Sequence, residues 1–156
     1  MARPASRLPD VLPLTPAEQR LAAWLRFFAA IFALGTVIFF VRSAGTVADL
    51  DRVGVLLGFA PLPAADHPVG ADFWLTLAIA NMATITACAA LAAGDVRRRR
   101  ALVYPLVVSK ITSSTTGLLL FAGRVHAFPY LVVPLVDLPI ALILMAALRA
   151  APPIES

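Results

Sequence analysis

The sequence predicts an all-α integral membrane protein: a bundle of four transmembrane helices with a short amphipathic helix in the first outer loop. Three observations carry that prediction. Hydrophobic residues make up 60% of the 156 residues and charged residues only 14%, against roughly 45–50% and about 25% in soluble domains. A soluble fold this small leaves too much of its surface in water to hide so many apolar side chains. The apolar residues fall into four runs, near 21–41, 73–93, 101–122 and 128–148, each close to the about 20 residues that a helix needs to cross a bilayer core. The basic residues gather at the ends of these runs. An open strand in lipid would leave its backbone polar groups unpaired, so each run is expected as helix.

Residues 1–15 form a cytoplasmic tail broken by Pro4, Pro9 and Pro13, and chain ends of this kind stay loose unless tied down. The first helix is expected over 16–42. Thr15-Pro16-Ala17-Glu18 is a capping box with proline at the first helical position. The helix enters the membrane near Trp24, and Arg26, one turn inside, reaches back to water along its own stem. The apolar run is longer than the about 7–15 residues of a signal-peptide core. It is therefore expected as a retained anchor, although the small residues Ser43, Ala44 and Gly45 follow it.

An outer loop over 43–72 comes next. Within it, residues 47–59 mix charges with Val53, Val55, Leu56, Leu57 and Phe59, the pattern of a short amphipathic helix on the outer surface. Pro61, Pro63 and Pro68 break that helix before Trp74 anchors the second span, 73–93, at the interface. The second helix carries small side chains at Ala80, Ala83, Thr84, Ala87 and Ala90, suited to close helix approach. Asn81 is its strongest polar member and a candidate for bonding across to the Ser/Thr stretch of the third helix or to Asp137. A basic loop over 94–100, a third helix over 101–122, an outer turn over 123–127, a fourth helix over 128–149 and a cytoplasmic tail over 150–156 complete the chain. No internal repeat is visible.

Charge sets the orientation. Arg3, Arg7 and Arg20 lie before the first span, Arg97, Arg98, Arg99 and Arg100 between the second and third, and Arg149 at the end of the fourth. The first outer loop offsets Arg42 and Arg52 with Asp49, Asp51, Asp66 and Asp72, and the second has Arg124 alone. An excess of arginine and lysine marks the cytoplasmic side, so both termini and the Arg97–Arg100 loop are expected inside, in the cell (inner) membrane. The net charge of +4 comes from these clusters. It is a topology signal, and no nucleic-acid partner is expected.

The candidate site lies inside the membrane. Lys110, the only lysine, sits in the third helix, and Asp137 sits in the fourth between Pro134 and Pro139. An ionisable group at the centre of a membrane helix costs about 2.5–3.5 kcal/mol on insertion scales, so two of opposite sign invite pairing. At the helical rise, Lys110 lies about 13.5 Å and Asp137 about 18 Å from the inner ends of their helices. The lysine stem spans the difference of about 4.5 Å. A short turn makes the two helices antiparallel neighbours, so an ion pair or close hydrogen-bonded contact is expected. Two readings stay open: a pair that fixes helix register, and a proton or ion relay in which Asp137 titrates.

Ser113 and Ser114 share the Lys110 side of the helix by i, i+3, i+4 spacing, with Gly117 at i+7. The run from Thr112 to Thr116 covers every face of the helix, so it suits packing through small side chains as well as a polar lining. With Asn81 and Thr84, Ser113 and Ser114 are the candidate polar interior. Pro129, Pro134 and Pro139 lie in the fourth helix, and prolines inside a helix free carbonyls and bend the axis.

Other chemistries lack their residues. Cys88 is the single cysteine, so no intrachain disulfide or CxxC redox pair is possible. His67 and His126 both lie in outer loops, which offers no axial haem ligands at membrane depth. HExxH, P-loop and GxSxG patterns are missing. Asp66, His67 and Asp72 are conceivable metal ligands, but exposed polar loops are ordinarily just solvated. No cofactor and no metal are expected.

In layout the chain resembles the DoxX-like four-helix membrane proteins, through an arginine early in the first helix (Arg26), a long outer loop and a basic turn after the second helix. It departs from them in lacking the acidic residue expected in the second helix. Three functions remain open: a non-enzymatic subunit or scaffold of a membrane complex, with other membrane subunits or further copies of itself as partners; a proton-coupled transporter or channel working as a homo-oligomer through Asp137 and Lys110; and a membrane enzyme acting on a lipid or quinone.

Overall fold

The computed structural model describes residues 13–63 and 68–151, and for 68–72 the backbone alone. The proposed loop ligands Asp66 and His67, and the side chain of Asp72, lie outside the described residues, as do residues 1–12 and 152–156. The chain forms α1 (Pro16–Leu56), α2 (Pro68–Gly94), a 3-10 turn (Arg100–Leu102), α3 (Val103–Gly123) and α4 (Phe128–Ala150). All four helices are long and apolar enough to cross a membrane, and no strand occurs among the described residues. The chain is thus consistent with a polytopic membrane protein. Each helix packs on its two neighbours in a ring, α1 on α2 and α4, and α3 on α2 and α4, leaving α1 and α3 on one diagonal.

α1 differs in extent from the expectation. The helix breaks at one non-helical residue, Arg42 (φ −144°, ψ 40°), where the first span was expected to end, and the second helical segment follows at once, a few residues earlier than expected. No proline interrupts the ladder between Arg42 and Leu56. The Thr46 hydroxyl donates to the Arg42 carbonyl at 2.9 Å, and Arg42 Nη2 reaches Asp49 Oδ2 at 3.0 Å across the kink. A side-chain hydroxyl returning to a carbonyl one turn back is a recognised companion of helix bending.

α1 ends in a Schellman motif. Gly58 adopts φ +86°, its N–H bonds the Val55 carbonyl, and the Phe59 N–H bonds that of Gly54 at 2.9 Å. The segment after α1 then docks on the α3–α4 turn. The Phe59 ring packs on Phe121 and Phe128, and the Ala60 N–H donates to the His126 carbonyl. A Cβ on Gly54 would fall 2.3 Å from Phe128 Cβ, so only glycine allows this approach.

The closely packed core occupies the basic half of the bundle. Leu21, Leu25, Phe28 and Phe32 of α1 meet Ile85, Ala89 and Ala92 of α2, Val103 and Leu106 of α3, and Ile140, Leu144 and Leu148 of α4. Their spacing of three and four residues is that of a single helical stripe. Farther along α1, no residue between 33 and 53 is fully buried, although Gly35, Thr36 and Phe39 are half-buried.

Candidate functional site

α3 presents Val103, Leu106, Val107, Lys110, Ser114 and Gly117 to the interior, one stripe on which polar residues succeed apolar ones as the helix runs outward. Lys110 is thus carried to the outer edge of the apolar core by the same periodicity that buries Leu106. Its Nζ lies 2.9 Å from Asp137 Oδ1, with side-chain exposures of 7% and 14%. Across the diagonal, Nζ also stands 4.6 Å from the centre of the Phe32 ring of α1. A desolvated ammonium over an aromatic face gains up to about 2 kcal/mol. One lysine side chain therefore joins three helices.

The other carboxylate oxygen, Asp137 Oδ2, is in close hydrogen-bond contact with the Ser113 hydroxyl. That hydroxyl also lies 3.1 Å from the Lys110 carbonyl. Ser113 has one proton and two acceptors, so it donates to only one of them at a time. The Ser114 hydroxyl donates to the Lys110 carbonyl at 2.7 Å. Among the described residues no buried side-chain polar atom lacks a partner. The ionic centre is closed on itself.

Beside it, α3 and α4 approach through a matched defect. Pro134 has no N–H to offer the carbonyl four residues back, that of Tyr130. Gly117 lies against this freed carbonyl: a Cβ there would be 2.7 Å from the Tyr130 oxygen and 2.9 Å from Pro134 Cδ. Absence of a side chain at 117 and absence of a donor at 134 together let the two backbones meet near Asp137.

The remaining polar candidates lie elsewhere. Asn81 is exposed and donates to the Ser109 hydroxyl at 3.2 Å, a link between α2 and α3 that does not reach Asp137. Thr84 is exposed and donates to the Ala80 carbonyl of its own helix, so it takes no part in the interior. Thr112, Thr115 and Thr116 also face outward. Arg26 is exposed.

The four arginines divide into two kinds. Arg97 grips Glu18 with two N–H groups, Nε to Oε1 at 2.7 Å and Nη2 to Oε2 at 2.9 Å, and also reaches the Pro13 carbonyl. Glu18 completes the capping box, accepting from the Thr15 N–H at 2.7 Å. Its hydrogen bonds to Arg97 raise that guanidinium above the usual arginine range. Arg100 donates to the Leu148 carbonyl and so fastens the end of α4. Arg98 and Arg99 are exposed, with Arg98 Nε 3.9 Å from Asp95 Oδ2. The Glu18–Arg97 link and the Phe32 contact lie beyond what the sequence reading expects. Glu18, the lone acid in the first turn of the first helix and on the same side as four arginines, is the available signal for the former; nothing in the sequence singles out Phe32.

A cavity of about 640 Å³ opens between α1 and α2 at the end away from the arginine turn, lined mainly by apolar groups with Asp51 and Trp74 among them. Asp51 is engaged by the Leu62 N–H at 2.8 Å, and neither Lys110 nor Asp137 lines the space. Among the described residues no group of three potential metal ligands comes together. Comparison with protein-family models, with curated proteins and with solved structures finds no match for this chain.

Proposed function

We propose that this protein is a non-enzymatic helical subunit of a membrane assembly, multi-pass in the inner membrane, with both termini on the cytoplasmic side. The observation that carries the reading is the outer half of α1: none of its residues from 33 to 53 is fully buried by its own bundle. A shallow groove of about 310 Å³ runs beside it, lined by Ala33, Thr36, Ala83, Thr86, Ala87 and Ala90. Small side chains let a foreign helix come close, and close packing drives helix association in lipid, where there is no hydrophobic gain between helices. The closed Lys110–Asp137 centre then acts as an internal lock on register.

The test is extraction in mild detergent at native expression, followed by mass spectrometry of what stays bound. Under this reading a stoichiometric partner, or a second copy, co-purifies with the native chain and is lost on Ala87→Leu, which fills the groove. A chain that remains a monomer with no partner refutes it.

A second reading, proton-coupled transport by a homo-oligomer, is favoured by Ser113. A hydroxyl with one proton and two acceptors beside a carboxylate is the kind of element a proton relay uses. If Asp137→Asn leaves proton-coupled flux in vesicles unchanged, this reading fails.

A further inference from the structure

We propose that the cleft between the start of α3 and the end of α4 binds the headgroup of an anionic phospholipid. The cleft has a volume of about 240 Å³ and is lined by Arg100, Tyr104, Val107, Met145, Leu148 and Arg149. Both helices end their apolar spans here, so the cleft lies at the depth of lipid headgroups in a bilayer. Its lining is mixed in chemistry: Tyr104 and Arg149 are exposed and Arg100 half-buried, whereas the aliphatic Val107 and Leu148 are buried.

The donors are available. Arg100 uses Nη2 on the Leu148 carbonyl, and a guanidinium carries five N–H donors in all. Arg149 is exposed and, among the described residues, forms no ion pair. The last turn of a helix repels anions through its free carbonyls. Here Arg100 covers one such carbonyl and Arg149 stands in that turn. A phosphodiester sits between the two guanidinium groups, and its acyl chain follows Tyr104 and Val108, which are 57% and 62% exposed on α3. Basic pockets between membrane helices are suited to lipid phosphates in this way. A zwitterionic headgroup brings a cation toward two arginines and is disfavoured.

The inference rests on the helices crossing a bilayer and not on the subunit role. Its test is native mass spectrometry of the full chain released from nanodiscs made of equal parts phosphatidylglycerol and phosphatidylcholine. The retained lipid should be enriched in phosphatidylglycerol, and Arg149→Gln should lower the enrichment about fivefold. Arg100→Gln should do the same; because Arg100 also fastens α4, Arg149→Gln carries the test alone if that variant misfolds. Arg98→Gln, whose arginine faces Asp95 and does not line the cleft, should keep the native enrichment.

Equal retention of the two lipids, or an equal loss in Arg98→Gln, overturns the proposal. Displacement of phosphatidylglycerol by millimolar inorganic phosphate also overturns it, since the cleft would then read free phosphate and not a lipid. A chain that fails to enter nanodiscs at all defeats the bilayer reading itself, an outcome distinct from entry without lipid preference.

Discussion

Replacing Asp137 by asparagine removes one charge from the centre of the bundle and leaves Lys110 with 7% of its side chain exposed. The Phe32 ring still faces the ammonium, but that contact is weaker than the lost ion pair. Removing one member of a buried pair typically costs about 3–5 kcal/mol. The lower end applies here, because the amide oxygen of the introduced asparagine still accepts a hydrogen bond and the lysine stem allows some retreat. We expect a loss of about 3 kcal/mol, which for a chain of this length lowers Tm by about 6–12 °C. The double variant Lys110→Met/Asp137→Leu removes both charges and keeps similar side-chain shapes. It should recover to within about 1 kcal/mol of the native chain or exceed it, since apolar replacement of a buried pair is often neutral or stabilising. Reversible unfolding in mixed micelles, run on Lys110→Met, Asp137→Leu and the double, gives the coupling directly. If Asp137→Asn costs less than about 0.5 kcal/mol, the size of an ordinary interhelical bond in lipid, the pair is not a lock. If the double variant loses the sum of the two singles, the two residues do not act as a pair at all.

Phe32→Leu should cost about 1–2 kcal/mol through its lysine contact alone, and that part of the loss should vanish in a Lys110→Met background; the same unfolding cycle reads both. Gly117→Ala places a Cβ against the Tyr130 carbonyl and Pro134, forcing α3 and α4 apart at a cost of about 1–3 kcal/mol. Gly94→Ala, where a Cβ meets nothing within 4 Å, should be neutral in the same assay. Glu18→Gln keeps the shape of the capping box but drops the charge that Arg97 grips. Hydrogen exchange should then speed up over the first turn of α1, and adding Arg97→Gln should change it little further. A large additional effect in that double variant would mean that Arg97 acts mainly through a contact other than Glu18.

Four helices, their order and their approximate spans were legible because lipid allows a single repertoire: about 20 apolar residues with internally bonded backbone. The start of α1 was legible from Thr15, Pro16 and Glu18, a local motif whose partners lie three residues apart. Residue types and depths at Lys110 and Asp137 were legible too, since rise per residue converts sequence spacing into height. Local rules did not extend to the end of α1. The amphipathic pattern after residue 46 marked the helix that follows the break at Arg42, but its immediate start at that break and its docking through Gly54 on Phe128 depend on a residue far along the chain.

What the sequence determined by itself is therefore the solvent of this protein and the height of its charges within that solvent. Both follow from composition and helical rise, which need no knowledge of neighbours. Only the tertiary structure decided which faces meet: Phe32 across the diagonal from Lys110, Glu18 in the fork of Arg97, Asn81 on Ser109 instead of Asp137, and Thr84 turned outward. Helix rotation about its own axis decides those contacts, and in a chain apolar on nearly every face hydropathy does not specify that rotation. It is set by close steric fits such as Gly117 against the carbonyl freed by Pro134, which exist only once two helices are packed.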